Sequence, residues 1–304
     1  MRAPLRYLLL AALLSPWSVE AQTPGALPQV LELPASTRAM ALGDAYMMNA
    51  RHSDALFYHP ALLTGASGFG LDVQRWGSEG SSTAASAAMQ WLGGGVGIGL
   101  LTLQYGAPGE RGAAAPGGQD HLFTSGPVPV SERVAVLGYA REVFGIDVGV
   151  AGKLVEERVG GDQDTEAMVD LSLSTDVGPL RVGLTARDWG REPIVETGGA
   201  QPSRLVLGAG AYGQQLGIFD IGLTGALSYS EDQTVVSGGV EVGYWPIRGR
   251  TFIARAGVRQ VPEGDGSPFS FGFAFWGDNV VLEWAYRPFG ELDAGTHRFG
   301  VRWR

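Results

Sequence analysis

From Gly68 to the end of the chain, apolar side chains recur at every second position, in segments of about ten residues separated by turn residues. That period is the period of a β-strand with two unlike faces. Phe269, Phe271, Phe273 and Phe275 alternate with Ser270, Gly272 and Ala274. Leu180, Val182, Leu184 and Ala186 alternate with Arg181, Gly183, Thr185 and Arg187, and Ile146, Val148 and Val150 with Asp147, Gly149, Ala151 and Lys153. Phe219, Ile221, Leu223 and Leu227 face away from Asp220, Gly222, Thr224 and Ser228. The pattern predicts strands near 68–76, 81–92, 95–105, 131–142, 145–157, 166–175, 179–189, 203–213, 216–230, 233–245, 250–260, 268–276, 279–287 and 295–304.

Fourteen is an even number, as a single-chain bacterial barrel requires, and such barrels alternate short turns with longer connections. The breaks after the second, fourth, sixth, eighth, tenth and twelfth segments are brief, as at Gly93-Gly94 and Gly277-Asp278. Those at Gly106 to Val130 and Gly190 to Pro202 are long; the link between the ninth and tenth segments is short and departs from the trend. Trp76, Trp91, Tyr105, Trp189, Tyr212, Tyr229, Tyr244, Trp245, Trp276 and Trp303 fall near strand ends, where rings at headgroup depth form girdles.

Composition narrows the solvent. The 47 glycines in 304 residues are about twice the usual share of roughly 7% and follow no collagen triplet. Arg2 and Arg6, the apolar run Tyr7 to Leu14 and the small-residue site Val19-Glu20-Ala21 make residues 1–21 an export signal, with the mature chain starting near Gln22. Losing two arginines and one glutamate takes the net charge from −9 to −10, which speaks against nucleic acid as a partner. The absence of cysteine excludes disulfides and thiolate metal sites. Beyond the signal no apolar run reaches eighteen residues, so a membrane would be crossed by a closed barrel. A soluble sandwich is the alternative, but its greasy faces would have to meet one another. The expectation is therefore an all-β, transmembrane antiparallel barrel of about fourteen strands in the outer membrane of a Gram-negative bacterium, in contact with its lipid. Residues 22–66 would form an N-terminal plug inside it and residues 67–304 the barrel.

The stretch Ala35 to Leu63 reads ASTRAMALGDAYMMNARHSDALFYHPALL. It resembles the opening signature of the PorV/PorQ group of FadL-like barrels: Arg38, Ala39, Met40, Gly43, Ala45 and Tyr46 match its first part, and Asp54, Ala55, Tyr58, Pro60, Ala61 and Leu62 its second. His59 stands where that signature usually has Asn. The stretch Trp284 to Phe289 through Gly295 to Arg298 resembles the group's last hairpin. The resemblance implies a fourteen-stranded barrel with its N-terminal segment folded inside as a hatch. PorV and PorQ serve the type IX secretion system, so it also implies an accessory barrel that docks secreted proteins or other secretion components. The alternative it implies is a FadL-like transporter of hydrophobic small molecules. The apolar Ala113 to Pro116, Leu122 and Phe123 in the long connection would suit the latter.

Remaining constellations are weighed on this scaffold. Gly93 to Gly99 is glycine-rich, but a strand and not a helix follows, so it is no phosphate loop. In that third strand Val96, Ile98 and Leu100 share one face and Leu101, Leu103 and Tyr105 the other, which predicts a bulge or kink at Gly95, Gly97 and Gly99. FadL-type barrels open sideways at a kinked third strand; the competing reading is that these glycines make room for the plug. Asp170, Arg181, Arg187, Asp220, Glu241, Arg255, Arg259, Glu283, Arg287, Arg298 and Arg302 fall on the inward face, as lumenal salt bridges bracing the wall and plug in preference to a selectivity lining. His52, His59, His121 and His297 lack the spacing of zinc ligands, and no G-x-S-x-G elbow occurs. No metal, cofactor or enzymatic activity is expected.

Overall fold

The computed structural model describes residues 28–46, 52–76, 80–107, 128–190, 204–230, 233–247, 250–261, 267–288 and 295–303. The export signal, the start of the mature chain, His121 and the apolar stretch of the Gly106 to Val130 connection lie outside these residues. Fourteen strands run in chain order: β1 (Gly68–Trp76), β2 (Gly80–Trp91), β3 (Gly94–Ala107), β4 (Val128–Val143), β5 (Ile146–Val159), β6 (Asp162–Val177), β7 (Leu180–Gly190), β8 (Arg204–Leu216), β9 (Phe219–Ser230), β10 (Gln233–Ile247), β11 (Arg250–Arg259), β12 (Phe269–Trp276), β13 (Val280–Arg287) and β14 (Thr296–Trp303). Each pairs antiparallel with its neighbours in sequence, and β1 pairs with β14 from Phe69 opposite Trp303 to Arg75 opposite His297. Closure leaves no edge, so the backbone is satisfied without water.

The two faces segregate inside out relative to a protein dissolved in water. Phe269, Phe271 and Phe273 are exposed while Ser270, Gly272 and Ala274 are buried. Leu71 and Val73 point outward, and between them Asp72 is 1% exposed. Rows of phenylalanine outside and carboxylates inside are stable only where hydrocarbon is the outer solvent. Among the described residues no helix is long and apolar enough to cross a membrane; the strands do so.

Two expectations need correction. β3 carries no bulge: its register is continuous with β2 from Trp91↔Gly94 to Ser81↔Gln104, and with β4 from Gly95↔Ala140 to Ala107↔Val128. Leu101 and Leu103 point inward with Gly97 and Gly99 because the lumen offers them an apolar partner, the cluster containing Val30, Leu31 and Phe57. Shifts of register occur elsewhere, opposite Asp170 in the β6–β7 pair, between Ala211 and Gln214 in β8, and between Tyr244 and Ile247 in β10. The girdle is also smaller than expected. Trp91, Trp189, Tyr229, Tyr244, Trp245 and Trp303 are exposed, but the Tyr105 hydroxyl donates to the lumenal Glu132 and Trp276 packs beside Ile253 and Ala274.

Inside the barrel lies the N-terminal segment, built from two short helices, α1 (Gln29–Glu32) and α2 (Thr37–Ala41), and two 3₁₀ turns, Ser53–Phe57 and Pro60–Thr64. Ser36 caps α2 by accepting from Ala39 N, and Pro60 opens the second turn, where its missing N–H costs nothing. Pieces this short do not persist alone in water, so the wall must hold them. It does so through inward glycines. A Cβ on Gly257 or Gly239 would collide with Leu42, on Gly272 with Ala41, on Gly149 with Pro60 and Ala61, on Gly95 with the Leu63 carbonyl, and on Gly99 with the Phe57 ring. Much of the glycine excess is therefore the imprint of the plug on the wall.

Candidate functional site: the plugged lumen

The signature residues of the plug meet the lumenal charges of the wall. Arg302, 1% exposed on β14, reaches Asp54 at 3.1 Å, Asp72 at 2.8 Å and Glu283 at 3.4 Å. Asp54 also accepts from the Ser36 and Tyr46 hydroxyls, and Asp72 accepts from Thr37 N. Arg298 donates to the Ala35 carbonyl and to Gln74. Arg255 bridges Glu241 at 2.6 Å and Glu283 at 2.7 Å, and Glu241 in turn holds Arg38 at 3.3 Å. Asp44 takes Arg259 at 2.9 Å and Arg287 at 3.0 Å, while Arg287 also donates to the Met40 carbonyl. The pairs run between neighbouring strands and from wall to plug, and most of them are buried. A charge taken out of water is tolerated only when it is paired and hydrogen-bonded.

Titration follows from this packing. Burial works to raise the Asp54 carboxyl, yet the Arg302 guanidinium, with His52 and the hydroxyls of Ser36 and Tyr46, holds it well below the usual carboxylate range. Asp44 is lowered in the same way, burial being outweighed by Arg287 and Arg259. Burial, seconded by Arg181, drives His59 down to about 3, so its ring is neutral at ordinary pH. Burial also raises the phenols of Tyr46 and Tyr58.

The remaining signature residues shape the backbone. Gly43 has φ +68°, its N–H donates to Ser270 Oγ at 3.2 Å, and a Cβ there would strike the Val258 backbone. Ala61 N donates to Ser172 Oγ at 2.7 Å. His59 keeps the turn its position demands, donating its N–H to Ala55 O and accepting from Leu62 N. Its ring does something the usual Asn would not: Nδ1 reaches the wall at Thr185 Oγ1, and Nε2 has no hydrogen-bond partner among the described residues.

A second ionic cluster was less visible in the sequence. On β5, Lys153 Nζ sits 2.7 Å from Asp170 and 2.6 Å from Asp188. Asp188 is fully buried at φ +57°, and its N–H donates to Asp170 across the β6–β7 bulge. Arg204 completes the cluster, 3.9 Å from Asp188 and 3.5 Å from Glu32 on α1. Glu132 anchors the other end of α1 by accepting from Val30 N at 2.7 Å. Asp72, Glu132, Lys153, Asp188 and Arg204 therefore join the site. The available signal was the polar residue at each inward position, and at Asp188 a polar pair where alternation called for one. Of the expected lumenal charges, Arg181 pairs with Asp176 and Asp147 near the β6–β7 turn, and Asp220 makes no ion pair among the described residues.

The plug elements pack chiefly on β1–β6 and β11–β14. Along β7–β10 many inward side chains near the plug are small or hydroxylic, among them Gly208, Ala226, Ser228 and Ser237, and a cavity of about 200 Å³ remains there. It extends from His59 and Tyr58 on the plug to Ser230 and Gln233 at the β9–β10 turn, at the barrel end that carries the long connections. Leu33, Phe57, Leu101, Val136 and Val206 give it apolar walls; Lys153, Arg187, Arg204 and Arg259 give it charge.

Fold and site together define an outer-membrane β-barrel of fourteen strands whose lumen is occupied by its own N-terminal segment. No family model matches the sequence, and no curated protein matches it. Among solved structures the chain is similar to the toluene transporter TodX of Pseudomonas putida, at a TM-score of 0.56 and 12% identity over 87% of this chain and 95% of that one. A TodX deletion variant, described as a monoaromatic hydrocarbon channel, gives a TM-score of 0.59 at 12% identity over 88% and 96%. The monoaromatic hydrocarbon channel CymD gives 0.54 at 11% identity over 84% and 92%. At such identities the likeness establishes the fold alone.

Proposed function

We propose that this barrel is a conduit that brings small molecules with an apolar body across the outer membrane, the plug forming the inner gate. The observation that carries this reading is the cavity along β7–β10, which Val30, Leu31, Leu33 and Phe57 of the plug face between charged side chains and which reaches toward the long-connection end. An apolar cavity of roughly 150 Å³ holds a benzene ring, so about 200 Å³ suits a monoaromatic compound. The similar barrels TodX and CymD, described as a toluene transporter and a monoaromatic hydrocarbon channel, support the same size class. Since β3 is paired on both sides at Gly95, Gly97 and Gly99, the exit runs past the plug and not through a gap at that strand.

Docking of secreted proteins is the competing reading, and it rests on the PorV/PorQ resemblance. The residues of that resemblance, Arg38, Met40, Gly43, Tyr46, Asp54, Tyr58, His59, Pro60 and Ala61, are buried or half-buried inside the barrel. They are engaged in seating the plug, which favours a shared plug architecture over a shared partner. The test is the initial uptake rate of two radiolabelled monoaromatic compounds, toluene and benzoate, by Gram-negative cells with and without the barrel. Faster uptake of at least one is expected; rates equal to the empty vector for both, with the barrel present in the membrane, sink the reading.

A further inference from the structure

We infer that the cavity selects an organic anion, a compact carboxylate with a ring-sized apolar body, held by Arg187 and His59; this names the solute class and rests on the conduit reading. Four cationic side chains line the cavity, Lys153, Arg187, Arg204 and Arg259, against two acidic ones, Glu32 and Asp44. Three of the four have carboxylates in hand: Lys153 has Asp170 and Asp188, Arg204 has Glu32, and Arg259 has Asp44. Arg187 makes no ion pair among the described residues; its guanidinium lies 5.9 Å over the Tyr58 ring, and its Nε has no hydrogen-bond partner there.

Arg187 keeps the inward parity of Gly183 and Thr185, and the β7 bulge brings its neighbour Asp188 in beside it. In a regular strand Arg187 and Asp188 would take opposite faces, one of them in lipid. The left-handed backbone at Asp188 leaves both inward and returns Trp189 to the outside. A non-glycine residue held at positive φ is costly and persists where the surroundings impose it. Here it turns Asp188 from the lipid face into the lumen and seats it on Lys153.

The second element is His59, 2% exposed and lining the same cavity. A buried polar atom without a partner costs free energy that a ligand atom can recover. With the Thr185 hydroxyl donating to Nδ1, the neutral ring of this cavity-lining residue keeps Nε2–H as a donor that no described residue answers. A guanidinium and an N–H donor together suit a carboxylate, and Phe57, Leu101 and Val206 suit the body behind it. A neutral hydrocarbon would leave both polar groups unanswered, and a cation would meet the guanidinium of Arg187.

The test is calorimetric titration of the detergent-solubilised, folded barrel with benzoate and with its neutral counterpart benzamide. Benzoate is expected to bind at least about tenfold more tightly than benzamide, as a charge-assisted hydrogen bond implies. Arg187→Gln is expected to remove that preference, and His59→Asn to weaken benzoate several-fold while leaving benzamide near its original affinity. Heat-modifiable migration on gels checks folding; if Arg187→Gln fails it, His59→Asn and the benzoate to benzamide ratio of the parent protein decide. Equal affinities, or variants that keep the preference, overturn the inference, as does inorganic phosphate competing as well as benzoate. Hydrocarbon uptake without benzoate preference would overturn the site and leave the conduit. Benzoate preference without uptake of either compound would overturn the conduit and leave the site.

Discussion

Arg302 is where plug and wall are most tightly joined, and its replacement by methionine measures what that junction contributes. Its guanidinium is the common partner of Asp54 on the plug and of Asp72 and Glu283 on the wall, all buried. Methionine fills much of the same volume but removes the positive charge, leaving three carboxylates short of a counterion. Removing one partner of a buried ion pair costs roughly 3–5 kcal/mol. Arg298 and Arg255 stand close enough to take over part of the load, as Arg298 lies 4.0 Å from Asp72 and Arg255 2.7 Å from Glu283. The expected loss is therefore near the lower end, about 3 kcal/mol. The assay is the urea midpoint of the barrel refolded in detergent, followed by heat-modifiable migration, with limited proteolysis reporting release of the plug. Asp54→Leu should be costly alone but less so beside Arg302→Met, a coupling of about 1 kcal/mol or more. A loss below about 1 kcal/mol for Arg302→Met, with additive behaviour in the double variant, would refute the reasoning.

Acid should loosen the plug in two stages. His59 refuses a proton down to about 3 where the unfolded chain accepts one near 6.5, so native stability falls as pH drops through that interval, by about 2.7 kcal/mol at pH 4.5. His59→Gln should flatten the urea midpoint between pH 6.5 and 4.5; an unchanged slope would place that proton elsewhere. Asp44 and Asp54, whose carboxyls are depressed, stabilise above the ordinary carboxylate range and lose that contribution only below about pH 4. Gly99→Val drives a branched side chain into the Phe57 ring and should cost about 1–3 kcal/mol, whereas Gly152→Val, with open space beyond it on the lipid face, should cost little. Equal stabilities in the urea assay would show that the plug does not lie against β3. Gly43→Ala meets both a left-handed backbone and the Val258 carbonyl, and should raise plug proteolysis without disturbing barrel migration.

Strand number and positions were legible because a bilayer outside and a polar lumen force every strand to alternate, and β1 at Gly68–Trp76 begins and ends where the pattern does. Alternation fails as a guide where the plug replaces water as the inner solvent. Leu101 and Leu103 looked like a change of face, but they point inward at Val30, Leu31 and Phe57. Trp276 and Tyr105 stood at strand ends like girdle residues yet turn toward the lumen for the same reason. The inward charges were legible one by one, since Arg255, Arg298 and Arg302 alternate with apolar neighbours. Their partners were not, because Arg302 meets Asp54 across 248 residues of chain. The cavity was not legible at all, for it depends on which strands the plug leaves uncovered. His59 drew notice only as a departure from the expected Asn, and its reach to Thr185, 126 residues away, is a property of the closed barrel.

The central claim is that the N-terminal segment sits inside the barrel against the inner wall, and a chain without cysteine makes that directly measurable. Ala61 N lies 2.7 Å from Ser172 Oγ, so Ala61→Cys and Ser172→Cys together place two thiols within disulfide reach. Oxidation of outer membranes carrying the double variant should give an intramolecular crosslink, seen as a shift in migration of the denatured chain that reductant reverses. Two free thiols that label fully and never join would contradict the account.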